Sequence, residues 1–279
     1  MKIFGIACGN FKVDGGAMFG VVPKAIWSKR YPCDENNLCN ITTRNLLIDT
    51  GDRRILFDTG IGTRVSKDFL KYQYLNGDDT LLGSLQKYGY SPDDITDVVF
   101  THLHWDHCGG ALMNDAKGNP ALQFPKAQMW VSRQQWEWAI NPNIREDAAY
   151  PENLIRPLNS FGNLRFIEKN EKITPDIELR LHNGHTKGLL IPVINFNGRM
   201  VVFAGDLIPV AANIPPIYLS AYDIFPLDAI HEKEQILKEL VNKNGILIFQ
   251  HDIRIEAATV IHNEKGYQIG ETFTIDSLN

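Results

Sequence analysis

The chain has 279 residues, enough for one large domain or two small ones, and 44% hydrophobic with 22% charged residues is the balance of an ordinary soluble globular protein. A net charge of −5 leaves no basic footprint, which removes the usual ground for proposing nucleic acid as a partner. No run approaches the roughly 18 apolar residues of a membrane span, so no membrane partner is expected.

The opening Met1-Lys2-Ile3-Phe4-Gly5-Ile6-Ala7-Cys8 is too short for the roughly 7–15-residue apolar core of a signal peptide and reads as a first strand. The cysteines Cys8, Cys33, Cys39 and Cys108 form no CxxC pair, so free thiols and a cytoplasmic location are expected. Next comes Asp14-Gly15-Gly16-Ala17-Met18-Phe19-Gly20-Val21-Val22-Pro23, with Trp27 after it. Glycines punctuating apolar residues predict a loop rather than a regular element. Such a segment suits a connection packed on the core. It equally suits an apolar arm over a small-molecule pocket, or a contact between the copies of a homodimer.

Residues 42–50 and 54–57 are predicted strands around a turn at Thr50-Gly51-Asp52. The second empties into Asp58-Thr59-Gly60-Ile61-Gly62, where Asp58 either orients a metal-bound histidine or holds a turn. Asp79 or Thr80 caps a predicted helix over 81–88, closed by Gly89, and Ser91-Pro92-Asp93-Asp94 reads as a helix start.

Then Val98-Val99-Phe100, a buried-strand run, leads into Thr101-His102-Leu103-His104-Trp105-Asp106-His107-Cys108-Gly109-Gly110. In an extended backbone His102 and His104 point the same way, because strand side chains repeat every two residues. One metal suits both imidazoles, while Asp106 and His107 turn toward a second position beside it. Imidazole nitrogen with carboxylate oxygen is the ligand mix of zinc or a similar first-row metal. Gly109-Gly110 lets the backbone turn sharply away from so crowded a centre.

Residues 127–131 read as a strand, and Ser132 with Gln135 as a capping box for a helix carrying Trp136 and Trp138 as packing residues. The polar, proline-bearing stretch 141–160 is predicted as helical turns and loops at the surface. Short strands follow at 164–167 and 177–181, and the second opens into His182-Asn183-Gly184-His185-Thr186. Strands at 193–196 and 200–204 form a hairpin around Asn197-Gly198, ending at Gly205-Asp206. An amphipathic helix over 228–244 presents Ile230, Leu237, Leu240 and Val241 on one face, with His231 toward solvent. A strand at 246–249 ends at Gln250-His251, and 266–275 reads as strands.

The candidate ligands His102, His104, Asp106, His107, His185, Asp206 and His251 all follow strands, whereas His182, His231 and His262 do not. No repeat or linker divides the chain, so a single domain over 1–279 is expected.

In their order, Asp58-Thr59-Gly60, His102-Leu103-His104-Trp105-Asp106-His107, Gly184-His185-Thr186, Gly205-Asp206 and Gln250-His251 resemble the metallo-β-lactamase superfamily over most of the chain. The resemblance implies an α/β protein with a four-layer αβ/βα sandwich. Two mixed β-sheets would lie face to face, flanked by helices, with a dinuclear metal site along one edge. By position it implies His102, His104 and His185 on one divalent metal ion, Asp106, His107 and His251 on the other, and Asp206 bridging both. Zinc is the first expectation, with iron, manganese and cobalt as the others. Many true β-lactamases have a cysteine where Asp206 stands, and the chain lacks the basic C-terminal extension of glyoxalase II enzymes. Its acidic balance also argues against the RNA-processing branch.

Within the superfamily, Gly15-Gly16-Ala17-Met18-Phe19-Gly20, His104-Trp105-Asp106-His107 and Gly205-Asp206-Leu207-Ile208 resemble quorum-quenching N-acyl homoserine lactonases and methyl-parathion-hydrolase-like enzymes. Some lactonases carry a tyrosine three residues after the bridging aspartate, where Pro209 stands here. The resemblance implies a hydrolase of lactones or esters with an apolar tail, using a hydroxide held between the metals. Asp106 would carry a proton to the leaving alkoxide. Trp105 and Phe19 are the candidate substrate contacts, with core packing the alternative for Trp105. A phosphotriesterase-like hydrolase on the same site is the runner-up. A di-iron redox protein is the alternative of another class, but it would bring a further metal-binding carboxylate in the first motif and a flavin domain, which this chain lacks.

Overall fold

Apolar, β-branched runs flanked by glycine, asparagine and aspartate set the strand framework of the computed structural model, which describes residues 1–279. The chain divides into two compact units: Met1–Gly9 with Thr43–Lys169, and Asn10–Thr42 with Asn170–Asn279. The architecture is α/β, with mixed sheets and helices. Two long strands, β1 (Lys2–Asp14) and β2 (Leu38–Asp49), begin in one unit and end in the other. Between them lie the short helices α1 (Gly15–Phe19) and α2 (Lys24–Trp27).

The first unit continues with β3 (Arg54–Phe57), α3 (Lys67–Leu70), α4 (Leu81–Lys87), β4 (Asp97–Val99), α5 (Trp105–Cys108), β5 (Leu112–Asn114), β6 (Pro120–Leu122), β7 (Gln128–Ser132), α6 (Arg133–Ala139), α7 (Glu152–Leu158) and β8 (Leu164–Ile167). Its sheet has the order β1-β2-β3-β4-β7-β8, antiparallel at β2–β3 and parallel from β3 through β8. Val98, Val99 and Phe100 are fully buried, the burial on both faces that a parallel central strand requires. Strands β5 and β6 form a separate small hairpin that the sequence did not announce.

The second unit contains β9 (Glu171–Thr174), β10 (Ile177–His182), β11 (Leu189–Phe196), β12 (Arg199–Phe203), α8 (Pro226–Lys243), β13 (Ile246–Ile248), β14 (Ala257–Asn263) and β15 (Gly266–Phe273). Their sheet order is β15-β14-β13-β12-β11-β10-β9, with β12–β13 its parallel pair. The β11–β12 turn forms at Asn197 and Gly198, with φ of 52° and 84°, the two positive angles of a type I′ hairpin. Helix α8 lays Ile236, Leu237 and Leu240 on a core that includes Leu189, Val202, Leu247, Phe249 and Val260. Each such side chain contributes about 1.5–3 kcal/mol by leaving water.

Two readings change here. The buried row of α8 is Ala229, Lys233, Ile236, Leu237 and Leu240, rotated from the expected face, and it includes a lysine. The buried Lys233 ammonium lies 3.0–3.3 Å from the carbonyls of Pro215, Pro216 and Tyr218, which accept its protons. The glycine-rich arm is not a plain loop either. Asp14 accepts hydrogen bonds from the Gly16 and Ala17 N–H groups and starts α1, and Met18 and Phe19 then turn into the core.

Candidate metal centre

In the first unit the site grows from the carboxyl ends of β3 and β4. Asp58, which follows β3, is fully buried in a left-handed conformation, φ 60°. Its carboxylate accepts from the Thr101 N–H and Thr101 hydroxyl, both at 2.7 Å, and from His107 Nδ1 at 2.9 Å. One aspartate therefore ties the strand end to a histidine of α5, as the orienting reading of Asp58 expected. The Thr59 N–H and hydroxyl both donate to the His107 carbonyl, at 2.7 and 3.0 Å.

Gly109 and Gly110 are needed for a different reason from the one expected. Neither has a positive φ; instead a Cβ at Gly109 would come within 1.9 Å of the Ile61 carbonyl oxygen, and one at Gly110 within 2.1 Å of that of Thr59. The close passage of 59–61, not a sharp turn, excludes a side chain there.

His102 and His104 point the same way, with His102 Nε2 2.9 Å from His104 Nδ1. Between them the Leu103 N–H donates to the Gln135 side-chain oxygen at 3.0 Å. Ser132 caps α6 as expected by accepting from the Gln135 N–H, while the Gln135 side chain reaches to the histidine loop. Asp106 and His107 face each other, Oδ2 to Nε2, at 3.6 Å. All four of these ligand candidates are buried.

In the second unit, His185 and His251 converge on Asp206. The two Asp206 oxygens divide between the rings, Oδ2 at 3.3 Å from His185 Nε2 and Oδ1 at 2.9 Å from His251 Nε2. The outer nitrogens are held: His185 Nδ1 lies 2.9 Å from Asp223 Oδ1, and His251 Nδ1 donates to the Thr42 carbonyl at 2.7 Å. Asp223 is itself fixed by the Ser220 N–H. Helix α8 grips the His185 loop from below, because Glu232 accepts from the Asn183 and Gly184 N–H groups at 2.7 and 2.9 Å. A Cβ at Gly184 would meet the Ala229 backbone at 2.3 Å, so the loop closes on α8 through glycine. Asp223, Glu232 and Lys233 belong to no spaced motif, and sequence reading missed them.

The partner of each ring nitrogen assigns its proton, and with it what these residues can hold. The Thr42 carbonyl only accepts, so His251 carries its proton on Nδ1 and turns a lone pair toward a carboxylate oxygen 2.9 Å away. In the first unit the Thr101 hydroxyl gives its proton to Asp58, so its oxygen accepts from His102 Nδ1 at 3.0 Å. That leaves the His102 Nε2 lone pair aimed at the ring nitrogen of His104. Lone pairs set at acceptor distance call for a shared cation, and an all-nitrogen-and-oxygen donor set fits a divalent first-row metal. Burial pushes the Cys108 thiol up and away from the thiolate form, so the nearest sulfur is not a ligand.

Of the other histidines, His231 is exposed and His262 lies against Tyr267 with ring centroids 4.6 Å apart. His182 is buried with no partner on either ring nitrogen, and burial pulls its pKa down to about 4. Trp105 is buried, with Phe69 of α3 edge-on at 5.2 Å. Phe19 has no exposed surface and stacks on Trp27 at 5.0 Å. The Pro209 carbonyl accepts from the His251 N–H at 3.0 Å, so this residue supports a candidate ligand through its backbone.

Mixed sheets whose carboxyl-end loops carry buried histidines and aspartates define a metal-dependent α/β hydrolase. The profile of the metallo-beta-lactamase superfamily matches residues 44–251, and the chain belongs to that superfamily. It is 27% identical to the N-acyl homoserine lactonase AiiA of Bacillus thuringiensis subsp. kurstaki over 251 residues, 81% of this chain and 88% of the relative. A crystal structure of a probable metal-dependent hydrolase from Staphylococcus aureus superposes with a TM-score of 0.88 at 32% identity, over 98% of this chain and 96% of that one. AidC, a dizinc quorum-quenching lactonase solved with a product, shares the fold at a TM-score of 0.78 and 23% identity, over 98% and 95% of the two chains. No helix is long and apolar enough to cross a membrane.

Proposed function

We propose that the two ligand sets complete one dinuclear centre in a single catalytic domain, and that the chain hydrolyses lactones or esters with an apolar tail, N-acyl homoserine lactones foremost. His102, His104 and His185 would hold one divalent ion, Asp106, His107 and His251 the other, with Asp206 shared; zinc is the first candidate. The observation that carries this reading is Asp206, which offers one oxygen toward each of two imidazoles. Such ions supply Lewis acidity and a water whose pKa falls from 15.7 toward about 7.

The chain's own residues do the rest. Asp58, Asp223 and the Thr42 carbonyl keep three imidazoles in the tautomer that presents Nε2 inward. Asp106 takes up the proton that the attacking water releases and passes it to the leaving alkoxide as the ring or ester opens. Trp105 and Phe69 form an apolar wall beside His104 for the acyl chain, and Tyr72, Tyr74 and Leu75 lie exposed just beyond α3. Phe19, stacked on Trp27, stiffens the arm rather than meeting substrate.

Metal-reconstituted protein should be assayed against acyl homoserine lactones of graded chain length, an aryl ester, a phosphotriester and a β-lactam. The expected result is lactone or ester turnover that improves with chain length. A phosphotriester preferred over every lactone would move the assignment to the phosphotriesterase-like branch.

A further inference from the structure

Glu146 lies in the stretch between α6 and α7 that reads as surface loop, yet it is buried, as is Tyr150. Burying a carboxylate costs several kcal/mol unless donors surround it. Here Oε2 accepts from the Trp138 indole and from Asn143 Nδ2, both at 2.6 Å. Oε1 faces the Tyr150 hydroxyl at 3.4 Å and His104 Nε2 at 3.5 Å. The Tyr150 ring lies against the His104 ring, centroids 4.8 Å apart.

We propose that Glu146 is a positioning residue that selects the tautomer of His104. The proposal rests on the dinuclear reading above. His104 Nε2 closes no hydrogen bond, but a carboxylate only accepts, so the negative Glu146 Oε1 3.5 Å away favours the His104 proton on Nε2 and turns the Nδ1 lone pair toward His102. That lone pair points at His102 Nε2, 2.9 Å away, whose own proton is held on its far side by Thr101. Both nitrogens would then be unprotonated and could share one cation. His104 would thus offer Nδ1 to the ion, whereas His107, His185 and His251 have Nδ1 held outward and offer Nε2. The other orienting groups act on Nδ1, so Glu146 is the one that must approach from the opposite edge of the ring. Trp138 and Asn143 anchor its far oxygen so that the near one stays there.

The test compares the parent with Glu146→Gln in the full chain. Imidazole nitrogen NMR of the zinc-loaded protein reads the tautomer, cobalt absorption reads the coordination, and competition with a chelator reads affinity. The parent should show His104 protonated on Nε2. Glu146→Gln should disturb that signal, alter the cobalt spectrum and weaken one of the two ions by about 10–100-fold, the usual effect of losing such a partner. If Glu146→Gln does not fold, Trp138→Phe, which loosens the carboxylate but keeps aromatic bulk, carries the same readouts with the same direction. A zinc-loaded parent protonated on Nδ1, or a folded variant with parental tautomer, spectrum and affinity, would overturn the role of Glu146 and leave the dinuclear reading standing. A parent that binds no metal would sink both.

Discussion

His185 and Asp223 meet ring nitrogen to carboxylate oxygen at 2.9 Å, and this contact joins a candidate metal ligand to the segment that docks on α1. The Ala221 N–H and Ser220 hydroxyl both donate to the Ala17 carbonyl, at 2.7 and 3.3 Å. The arm around α1 therefore supports a histidine without touching it. Asp223→Asn keeps the shape but removes the charge that favours the Nδ1 proton. The expected loss is about 10–100-fold in metal affinity or activity with the fold intact. Isothermal titration with zinc checks it, and unchanged affinity would reduce Asp223 to a loop brace.

Asp206 is shared by two imidazoles, so its charge is asked to hold two ions. Protein purified without chelator is expected to contain two metals per chain by elemental analysis, because the ligand set exceeds what one tetrahedral ion uses. Asp206→Asn should fold, retain one ion weakly and lose at least about 100-fold in rate, the loss expected from about 2.7 kcal/mol of electrostatic stabilisation. Full activity with both ions bound in Asp206→Asn would show that the carboxylate is no bridge.

Much of this was legible in the chain because the candidate ligands follow strands. A strand run such as Val98-Val99-Phe100 fixes where His102 begins, and the two-residue repeat aligns His104 with it. The residues that hold those ligands were not legible. Asp223 is 38 positions from His185, and Glu146 is 42 from His104; only the fold makes them neighbours. Gln135 was read for its local cap, and its longer reach to Leu103 depended on a buried N–H that no pattern displays. Lys233 lies against three carbonyls from outside its helix, a setting that no sequence spacing displays.

His182 makes a prediction about acid stability. It is buried without partners and has a pKa of about 4, against the ordinary histidine value of about 6.5 in the unfolded chain. Between those values the unfolded chain binds a proton that the folded one refuses. Stability therefore falls as the pH drops from about 6.5 to about 4, by roughly 3 kcal/mol in total. His182→Leu removes this titration and should flatten that limb in melting temperatures measured across the window, while zinc binding at pH 7 stays parental. An acid limb unchanged in His182→Leu would place the pH sensitivity elsewhere.

Trp105 and Phe69 supply the last prediction, because an apolar wall has a chain-length signature. Each methylene moved from water onto such a wall contributes up to about 0.8 kcal/mol, nearly fourfold in kcat/KM, until the wall is covered. The parent should therefore improve stepwise as the acyl chain of the lactone lengthens. Trp105→Ala removes the ring that Phe69 braces edge-on at 5.2 Å, so both sides of the contact loosen. It should leave the shortest substrate within a few-fold of the parent and cut the longest by about 10–200-fold, the discrimination expected of a hydrophobic pocket. Phe69→Ala should act in the same direction and more weakly, since it removes the ring that braces Trp105. The deciding quantity is the slope of log kcat/KM against chain length. Parallel lines for parent and Trp105→Ala would mean that Trp105 packs beside His104 and takes no part in holding the tail.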